Sequence, residues 1–295
     1  MLICLLEFLA DIFDGVLGNS MEAYSDFATV YDTFMDETPY EVWGDYVSEL
    51  IEEYGISKPQ IGVEAAEEDT EAALEQERNL IVELGCGTGS FTQVMKKKGY
   101  DIMGIDMSPD MLNIARNKAA KENLDILYLE QDMRELDLYC TAGTIVSVCD
   151  SVNYLLEDED VIETFRLVNN FLYPGGIFIF DFNTLYKYSE VIGDATIAEN
   201  RDDCSFIWDN YYHEDEHINE YDLTIFVRTP GEEDVFRRFS ETHYQRGYTV
   251  EEMKVYLKEA GLELVKIIDA DTHKAPTAES QRIYIVAREK GKKNK

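Results

Sequence analysis

Three glycines at alternate positions, Gly85, Gly87 and Gly89, follow a short apolar segment in the stretch LIVELGCGTGSF. Glycines after a strand permit tight turns and let ligand atoms approach the backbone closely. Their GxGxG spacing differs from the GxGxxG of dinucleotide-binding proteins and from the GxxxxGKS/T of a phosphate loop. Because no lysine follows to hold a phosphate and Glu83 precedes the loop, the pattern favours a nucleoside ligand that carries positive charge.

Acidic residues end the next two apolar segments as well. Asp106 stands where a carboxylate can accept hydrogen bonds from ribose hydroxyls, and Met107 follows it. Asp132 could accept a hydrogen bond from the amine of an adenine, while Met133 packs on the ring. A ribose and an adenine without a pyrophosphate, combined with a cationic centre, describe S-adenosylmethionine.

These residues need a parallel sheet to bring them together. From residue 79 the apolar segments NLIVEL, YDIMGID, LDILYLEQD, GTIVSVCD and GGIFIFDF alternate with predicted helices over residues 90–98, 109–122 and 158–172. Nearly continuous apolar strands separated by helices indicate a parallel sheet that is covered on both faces. Ligands of such sheets bind at the carboxyl ends of the strands, where the strand order reverses.

Other parts of the chain have different patterns. Thr249 and Glu252 form a capping box at the start of a further predicted helix, which ends at Gly261 and precedes two last strands. The alternation of apolar and polar residues over 201–245 predicts an antiparallel insert of about three strands. The predicted organisation is an N-terminal extension (1–20), a helical lid (21–56), an acidic flexible linker (57–78), a core (79–200 and 246–290) and the β-insert (201–245).

The charge and the cysteines exclude several classes of function. The net charge is −34, which repels nucleic-acid backbones and anionic lipid surfaces. The five cysteines form no CxxC pair and the four histidines show no ligand spacing, so neither a disulfide framework nor a metal site is expected. We expect a cytoplasmic protein. Residues 1–20 predict an attached helix or an upstream extension of a chain that starts at Met21, and membrane attachment is the least favoured interpretation.

The motifs VELGCGTGSF, GIDMSPDML and EQDMREL resemble the successive cofactor motifs of class I S-adenosylmethionine-dependent methyltransferases. The segments CDSVNYL, FNTLYK and ETHYQRGYTVEEMKVYLKEAGLE resemble those of a bacterial group of small-molecule methyltransferases with a β-insert. The resemblance implies a Rossmann-like α/β fold with a seven-stranded sheet in the order 3-2-1-4-5-7-6, whose strand 7 is antiparallel. It also implies S-adenosyl-L-methionine as cofactor and a β-insert that covers the acceptor site.

Candidate site residues follow from the motifs and from the resemblance. The expected cofactor-binding residues are Glu83, Gly85, Cys86, Gly87, Gly89, Asp106, Met107, Asp132, Met133 and Cys149, with Tyr31 and Trp43 from the lid. Asp150, Asn153, Tyr154 and Arg246 are the candidates for binding the acceptor. Asp150, His243 and Tyr31 are the candidates for a catalytic role, and Tyr24 is a further aromatic residue of the lid.

The expected reaction is a direct in-line transfer of a methyl group to a nitrogen or oxygen of a small molecule. Cys149 is not expected to act as a nucleophile, because direct transfer needs no covalent intermediate. An RNA methyltransferase and a non-catalytic cofactor-binding protein are the alternatives, and the acidic charge disfavours the first. The expected oligomeric state is a monomer or a homodimer.

Overall fold

The computed structural model describes residues 28–60, 70–229, 231–232 and 234–292. The predicted extension of residues 1–20, the first part of the lid with Tyr24, and residues 61–69 of the predicted linker lie outside the described residues.

The described strands form two sheets. In chain order they are β1 (Ile81–Leu84), β2 (Ile102–Asp106), β3 (Tyr128–Glu130), β4 (Ala142–Ser147), β5 (Leu172–Asn183), β6 (Thr196–Asn200), β7 (Cys204–His213), β8 (Ile218–Arg228), β9 (Phe236–Arg246), β10 (Glu263–Asp269) and β11 (Arg282–Arg288). The larger sheet has seven strands in the order β10-β11-β5-β4-β1-β2-β3, and β11 runs antiparallel to both of its neighbours. With β10 and β11 counted as strands 6 and 7, this is the predicted order, so the fold class is confirmed.

Helices cover the sheet on both sides. The described helices are α1 (Ala28–Phe34), α2 (Tyr40–Tyr54), α3 (Thr70–Asn79), α4 (Ser90–Lys97), α5 (Pro109–Lys121), α6 (Asp158–Phe171) and α7 (Val250–Glu259), of which α1 packs on the smaller sheet. Short turns of 3-10 helix span Met133–Glu135 and Ser151–Tyr154, and a π-helical turn spans Lys187–Ile192.

The core explains the continuous apolar strands of the sequence. Every residue of β1 and β4 is buried, since helices pack on both faces of these central strands. One apolar cluster joins Phe165 of α6 to Phe178 and Phe180 of β5, and a second joins α2 to the opposite face of the sheet. The predicted capping box of Thr249 and Glu252 starts α7, which confirms that helix start.

Two predicted segment boundaries differ from the structure. Residues 70–78 belong to the predicted flexible linker, but Thr70–Asn79 form α3. This helix lies against β4, where an added Cβ on Gly143 would be only 1.7 Å from the carbonyl oxygen of Arg78. The helix therefore gains its stability from packing on the sheet, which its polar composition did not reveal. The β-insert has four strands rather than three, because β6 begins at Thr196 before the predicted start.

The β-insert is a separate antiparallel sheet with the order β6-β7-β8-β9. Its buried face carries Tyr221, Leu223 and Ile225 of β8, and Val30 of α1 packs on the same cluster. Alternate residues of each strand face this cluster, since successive side chains point to opposite sides of a sheet. The insert and α1 thus form one unit beside the carboxyl ends of the large sheet.

Candidate active site

The glycine loop after β1 has a backbone that other residues could not adopt without strain. Gly85, Gly87 and Gly89 have φ angles of 70°, 52° and 73°, in the left-handed region that favours glycine. A Cβ on Gly85 would lie 2.4 Å from Oγ of Ser151, and one on Gly89 would lie 2.5 Å from the Tyr128 hydroxyl oxygen. The loop therefore approaches its neighbours and any ligand with bare backbone, as the spacing predicts.

Asp106 connects the loop to the end of β2. Its two carboxylate oxygens accept hydrogen bonds from the backbone N–H groups of Gly87 and Ser108, each over 2.8 Å. Burial raises the pKa of Asp106, and these backbone hydrogen bonds oppose that rise. The carboxylate is thus held at the carboxyl edge of the sheet beside the glycine loop, where the ribose contact is predicted.

Glu83 is buried beneath the same loop. Only 2% of its surface is exposed, and the hydroxyl of Thr92 in α4 donates a hydrogen bond to its carboxylate. Burial raises the pKa of Glu83 to about 8, and the neighbouring charge of Asp106 contributes to the rise. A cation beside this carboxyl group would favour its ionised form, so the position suits a ligand with positive charge. Cys86, which follows Gly85, is buried as well.

A strained turn follows β4 and lies next to the glycine loop. Cys149 and Asp150 both have left-handed backbones, with φ angles of 64° and 55°. The hydroxyl of Ser151 donates a hydrogen bond to the carbonyl of Gly85 over 3.3 Å, so the turn and the loop are in contact. Burial raises the pKa of the Cys149 thiol to about 12, an environment unsuited to a thiolate nucleophile.

Asp150 connects this turn to the β-insert. Its carboxylate accepts a hydrogen bond of 2.7 Å from the side-chain amide of Gln245 in β9. Burial raises its pKa, while Lys187 of the π-helical turn lowers it through a favourable charge interaction. The backbone N–H of Asp150 donates a hydrogen bond of 2.7 Å to the carboxylate of Asp181 in β5.

Aromatic residues of the insert lie above the turn. The hydroxyl groups of Tyr154 and Tyr221 are 2.8 Å apart, and the ring of Tyr221 stacks on His243 with 4.9 Å between centroids. Trp208 lies 4.5 Å from Tyr221 on the other side. His243 is 2% exposed, and its Nε2 is 3.3 Å from a carboxylate oxygen of Glu241, a side chain that is 8% exposed.

The N-terminal helices contact the site at two places. Asp32 of α1 accepts hydrogen bonds of 2.6 Å from Thr88 in the glycine loop and from Lys118 of α5. Trp43 of α2 stacks on the guanidinium group of Arg282, whose carbon is 4.2 Å from the ring centroid. The side chains of Tyr31 and Tyr40 are hydrogen-bonded to each other. The predicted lid residues therefore border both the loop and the strand ends.

Comparison with known proteins agrees with this geometry. The model of the methyltransferase domain family matches residues 81–176, from β1 into β5. A Bacillus subtilis (strain 168) protein named "Putative methyltransferase YqeM" is 36% identical over 265 residues, which cover 90% of this chain and 96% of that protein. The chain is a class I S-adenosylmethionine-dependent methyltransferase.

Two further relatives extend this comparison. The crystal structure of an S-adenosylmethionine-dependent methyltransferase from Clostridium acetobutylicum ATCC 824 has a TM-score of 0.74 and 26% identity, covering 91% of this chain and 99% of that chain. A dTDP-3-amino-3,4,6-trideoxy-alpha-D-glucopyranose N,N-dimethyltransferase of Streptomyces venezuelae is 23% identical over 63% of this chain and 79% of that protein. The residues of the loop fit the cofactor of this family, because bare backbone and a buried carboxyl group meet at one edge of the sheet.

The residues predicted to bind adenine lie at the same edge, and Asp132 already has a partner there. Asp132 accepts hydrogen bonds from the backbone and the side chain of Arg134. Burial alone would raise the pKa of Asp132, but the contacts with Arg134 outweigh burial and lower it. Met133 lies beside the loop, since its methyl carbon is 3.6 Å from a Cβ placed on Gly85. Met107 is 49% exposed at the end of β2. The adenine contacts of these residues stay predictions.

Two candidates for acceptor binding have structural partners instead. The side-chain amide of Asn153 donates to the carbonyls of Asn183 and Arg246, and its oxygen accepts from the backbone of Asn183. Arg246 forms ion pairs with Asp158 and Glu252 over 2.7 Å and 3.3 Å. Asn153 thus joins the end of β9 to β5, and Arg246 joins it to the first turns of α6 and α7.

Several residues of the site were missed by sequence reasoning. They are Asp32, Asp181, Lys187, Trp208, Tyr221, Glu241, Gln245 and Arg282. Lys187, Glu241 and Gln245 lie in segments that carry the resemblance, but no residue type or spacing there marks them as site residues, and the others reach the site from distant segments. The alternation of β9 was the one available signal, since Glu241, His243 and Gln245 occupy every second position and must share a face.

Other kinds of site find no support among the described residues. Those residues contain no group of three or more His, Cys, Asp or Glu side chains placed to hold a metal ion. None of the described helices is long and apolar enough to cross a membrane. Surface hollows occur along the edge strand β10, for example beside Val265 and Pro276, and lie away from the strand ends that carry the site.

Proposed function

We propose that this methyltransferase transfers the methyl group directly to a nitrogen of a small amine, with an oxygen acceptor as the second possibility. The proposal depends on one observation above all: the buried pair of Glu241 and His243 lies on the insert face that covers the turn after β4. A carboxylate next to a histidine can stabilise the imidazolium form, so this face can accept a proton.

The chemistry requires little more than placement. When bound, S-adenosylmethionine supplies a methyl group already activated by the positive charge on its sulfur. Side chains of the insert and of α1 and α2 exclude water and orient the acceptor, and orientation of this kind can supply about 7–11 kcal/mol of the barrier reduction. The acceptor nitrogen forms its bond to the methyl carbon as the carbon–sulfur bond breaks, and that electron pair remains on sulfur.

A proton must also leave the acceptor. An amine that arrives as an ammonium ion has no lone pair, so it must first lose a proton. We propose that His243 accepts this proton and that Glu241, 3.3 Å from its Nε2, stabilises the resulting imidazolium. Before this proton transfer, the ammonium form of the acceptor would be attracted to the aromatic group beside His243, which includes Tyr154 and Trp208, since aromatic rings attract cations.

The charge and one relative support an amine. A net charge of −34 disfavours polyanions such as RNA and favours cations. The Streptomyces venezuelae relative is named as an N,N-dimethyltransferase of an amino sugar nucleotide, and its match covers 63% of this chain. A sugar amine is therefore one class of acceptor to test.

A methyl-transfer assay tests the proposal. Radiolabelled S-adenosylmethionine is incubated with the enzyme and with separate pools of amines, amino sugars, alcohols and purified tRNA. We expect saturable transfer to an amine, with a mass increase of one methylene group, and strong loss of transfer in His243→Gln. Tyr211→Phe, on the exposed face of the insert, is the matched control and should keep full activity. Saturable transfer to tRNA alone would contradict the proposal.

A further inference from the structure

The turn after β4 needs support from outside its own sequence. Two adjacent residues other than glycine, Cys149 and Asp150, have φ angles of 64° and 55°. Left-handed backbone is unfavourable for residues with a Cβ and persists only where surrounding contacts hold it. Such strain is concentrated at functional sites, and this turn contacts the glycine loop through Ser151.

One buried carboxylate holds both residues of the turn. Asp181 of β5 is 0% exposed and accepts the backbone N–H of Cys149 over 3.1 Å and that of Asp150 over 2.7 Å. Successive N–H groups in such a conformation form a concavity that binds an anion. In this turn the carboxylate of Asp181 occupies the concavity, so the anion is a side chain of the neighbouring strand and not a ligand.

The two hydrogen bonds also set the direction of a carbonyl. The N–H of Asp150 and the C=O of Cys149 belong to one planar trans peptide and therefore point in opposite directions. Since that N–H points to Asp181 of β5, the Cys149 carbonyl points away from β5, and β1 with the glycine loop lies on the opposite side of β4. A carbonyl oxygen carries partial negative charge, so its direction matters for any cationic centre at the strand ends.

Arg282 of β11 completes the support. It donates to Asp181 from Nε over 2.8 Å, and a second hydrogen bond comes from Nη2. On its other side the guanidinium carbon is 4.2 Å from the ring centroid of Trp43 in α2. Trp43 in turn packs edge-on against Tyr40, with 5.5 Å between ring centroids. A continuous set of contacts thus joins the lid helix to the strained turn.

We propose that Asp181 and Arg282 are positioning residues for methyl transfer. They hold the Cys149 carbonyl toward the cofactor side of the strand ends, and the stacking of Trp43 on Arg282 makes this arrangement depend on the docking of α2. This positioning role concerns the cofactor site and does not depend on which acceptor is methylated. Its test therefore needs no acceptor, and its failure would leave the proposed amine methylation untouched.

Cofactor titrations test the direction of the carbonyl. S-adenosylmethionine carries a positive charge on sulfur that S-adenosylhomocysteine lacks. A Cys149 carbonyl held toward the cofactor should therefore make the enzyme bind S-adenosylmethionine more tightly than S-adenosylhomocysteine. In Arg282→Met we expect affinity for S-adenosylmethionine to fall about tenfold or more and affinity for S-adenosylhomocysteine to fall less than about threefold. Arg282→Lys keeps the charge and should restore part of the difference.

Arg288→Met is the matched control. Arg288 lies on the same strand and also faces α2, because it donates to the carbonyl of Tyr54 over 2.8 Å, but it is at the far end of β11. It should lose some thermal stability and keep the preference for S-adenosylmethionine. Equal losses for both ligands in Arg282→Met, or the same change in Arg288→Met, would reduce Arg282 to a structural role and overturn the proposal.

Two spectroscopic measurements complete the test. In a Trp208→Phe background Trp43 is the remaining tryptophan, so its fluorescence should change when Arg282→Met removes the stacked cation. In Asp181→Asn, hydrogen exchange of the Cys149 and Asp150 amides should become much faster, while β4 remains protected. Unchanged exchange at these two amides would show that the turn holds its shape without Asp181 and would contradict the proposal.

Discussion

The cofactor side and the acceptor side of the site are built in different ways. Within the unit that carries the glycine loop, bonded partners are close in sequence: Thr92 and Glu83 are 9 residues apart, and Gly87 and Asp106 are 19, although Asp32 and Ser151 contact the loop from 56 and 66 residues away. On the acceptor side they are distant: 95 residues separate Asp150 from Gln245, and 67 separate Tyr154 from Tyr221. The glycine loop with Asp106 is therefore a property of one βαβ unit, whereas the acceptor side depends on how the insert docks.

The largest effect should come from the glycine loop. In Gly85→Ala the new Cβ would lie 2.4 Å from Oγ of Ser151, on a backbone with φ of 70°. The loop and the turn must then move apart, and we expect cofactor affinity to fall about a hundredfold or more. Calorimetric titration with S-adenosylmethionine measures the loss.

Gly175→Ala is the control for this variant. Gly175 also has a left-handed backbone, with φ of 77°, but no atom of the described residues lies within 4 Å of its added Cβ, and it is near the start of β5. It should lose stability without losing affinity. Equal affinities in Gly85→Ala and wild type would show that the loop does not form the cofactor site.

Asp106→Ala should have the next largest effect. Its carboxylate orders the loop through Gly87 and stands where the ribose is expected, so its loss should weaken cofactor binding by about 1.5–3 kcal/mol. The exposed Asp110→Ala, in the first turn of α5, should bind normally. If Asp106→Ala keeps the wild-type dissociation constant, the ribose is held elsewhere.

The same contrast decides what sequence alone could predict. The glycine loop and Asp106 were predictable from short local motifs, and apolar periodicity predicted the parallel strands, whereas the order of the strands came from the resemblance to class I methyltransferases. The helix over Thr70–Asn79 was missed because its stability comes from contact with β4 and not from an apolar face. The partnership of Asp181 with Arg282 spans 101 residues, and no local pattern records it.

The pH dependence of cofactor binding gives a third, moderate effect. Burial raises the pKa of Glu83 from its ordinary value near 4.5 to about 8. Without ligand, the contribution of this group to the free energy of unfolding is therefore complete below pH 4.5 and is lost as the pH rises through 8. A cationic cofactor favours the ionised form, so affinity should increase from pH 6 toward pH 8, by at most about tenfold per unit, and then level off.

Glu83→Gln isolates this effect. The ionisable neighbours include Asp106, Tyr40, Tyr128 and Cys86, and burial raises the pKa of all four. The two tyrosines therefore stay neutral throughout, and most of the pH dependence between 6 and 8 should disappear in the variant. If the affinity for the cofactor still rises between pH 6 and pH 8 in Glu83→Gln, the titrating group is Asp106 or another residue and not Glu83.

The smallest effect should come from the acceptor side. Tyr221→Phe removes one hydroxyl of the pair with Tyr154, which are 2.8 Å apart, and keeps the ring that stacks on His243. For the best acceptor found in the amine pool, KM should rise about three- to tenfold, because one hydrogen bond contributes about 1 kcal/mol. Tyr211→Phe on the exposed face should leave KM unchanged.

One set of titrations tests the separation of the two sides most directly. S-adenosylmethionine is titrated by calorimetry into the wild type, Asp106→Ala and Tyr221→Phe at the same pH. We expect wild-type binding near −8 kcal/mol, in the micromolar range, a clear loss in Asp106→Ala, and a value within about twofold of wild type in Tyr221→Phe. Equal weakening in both variants would show that cofactor and acceptor share one set of contacts and would contradict the separation of the two sides.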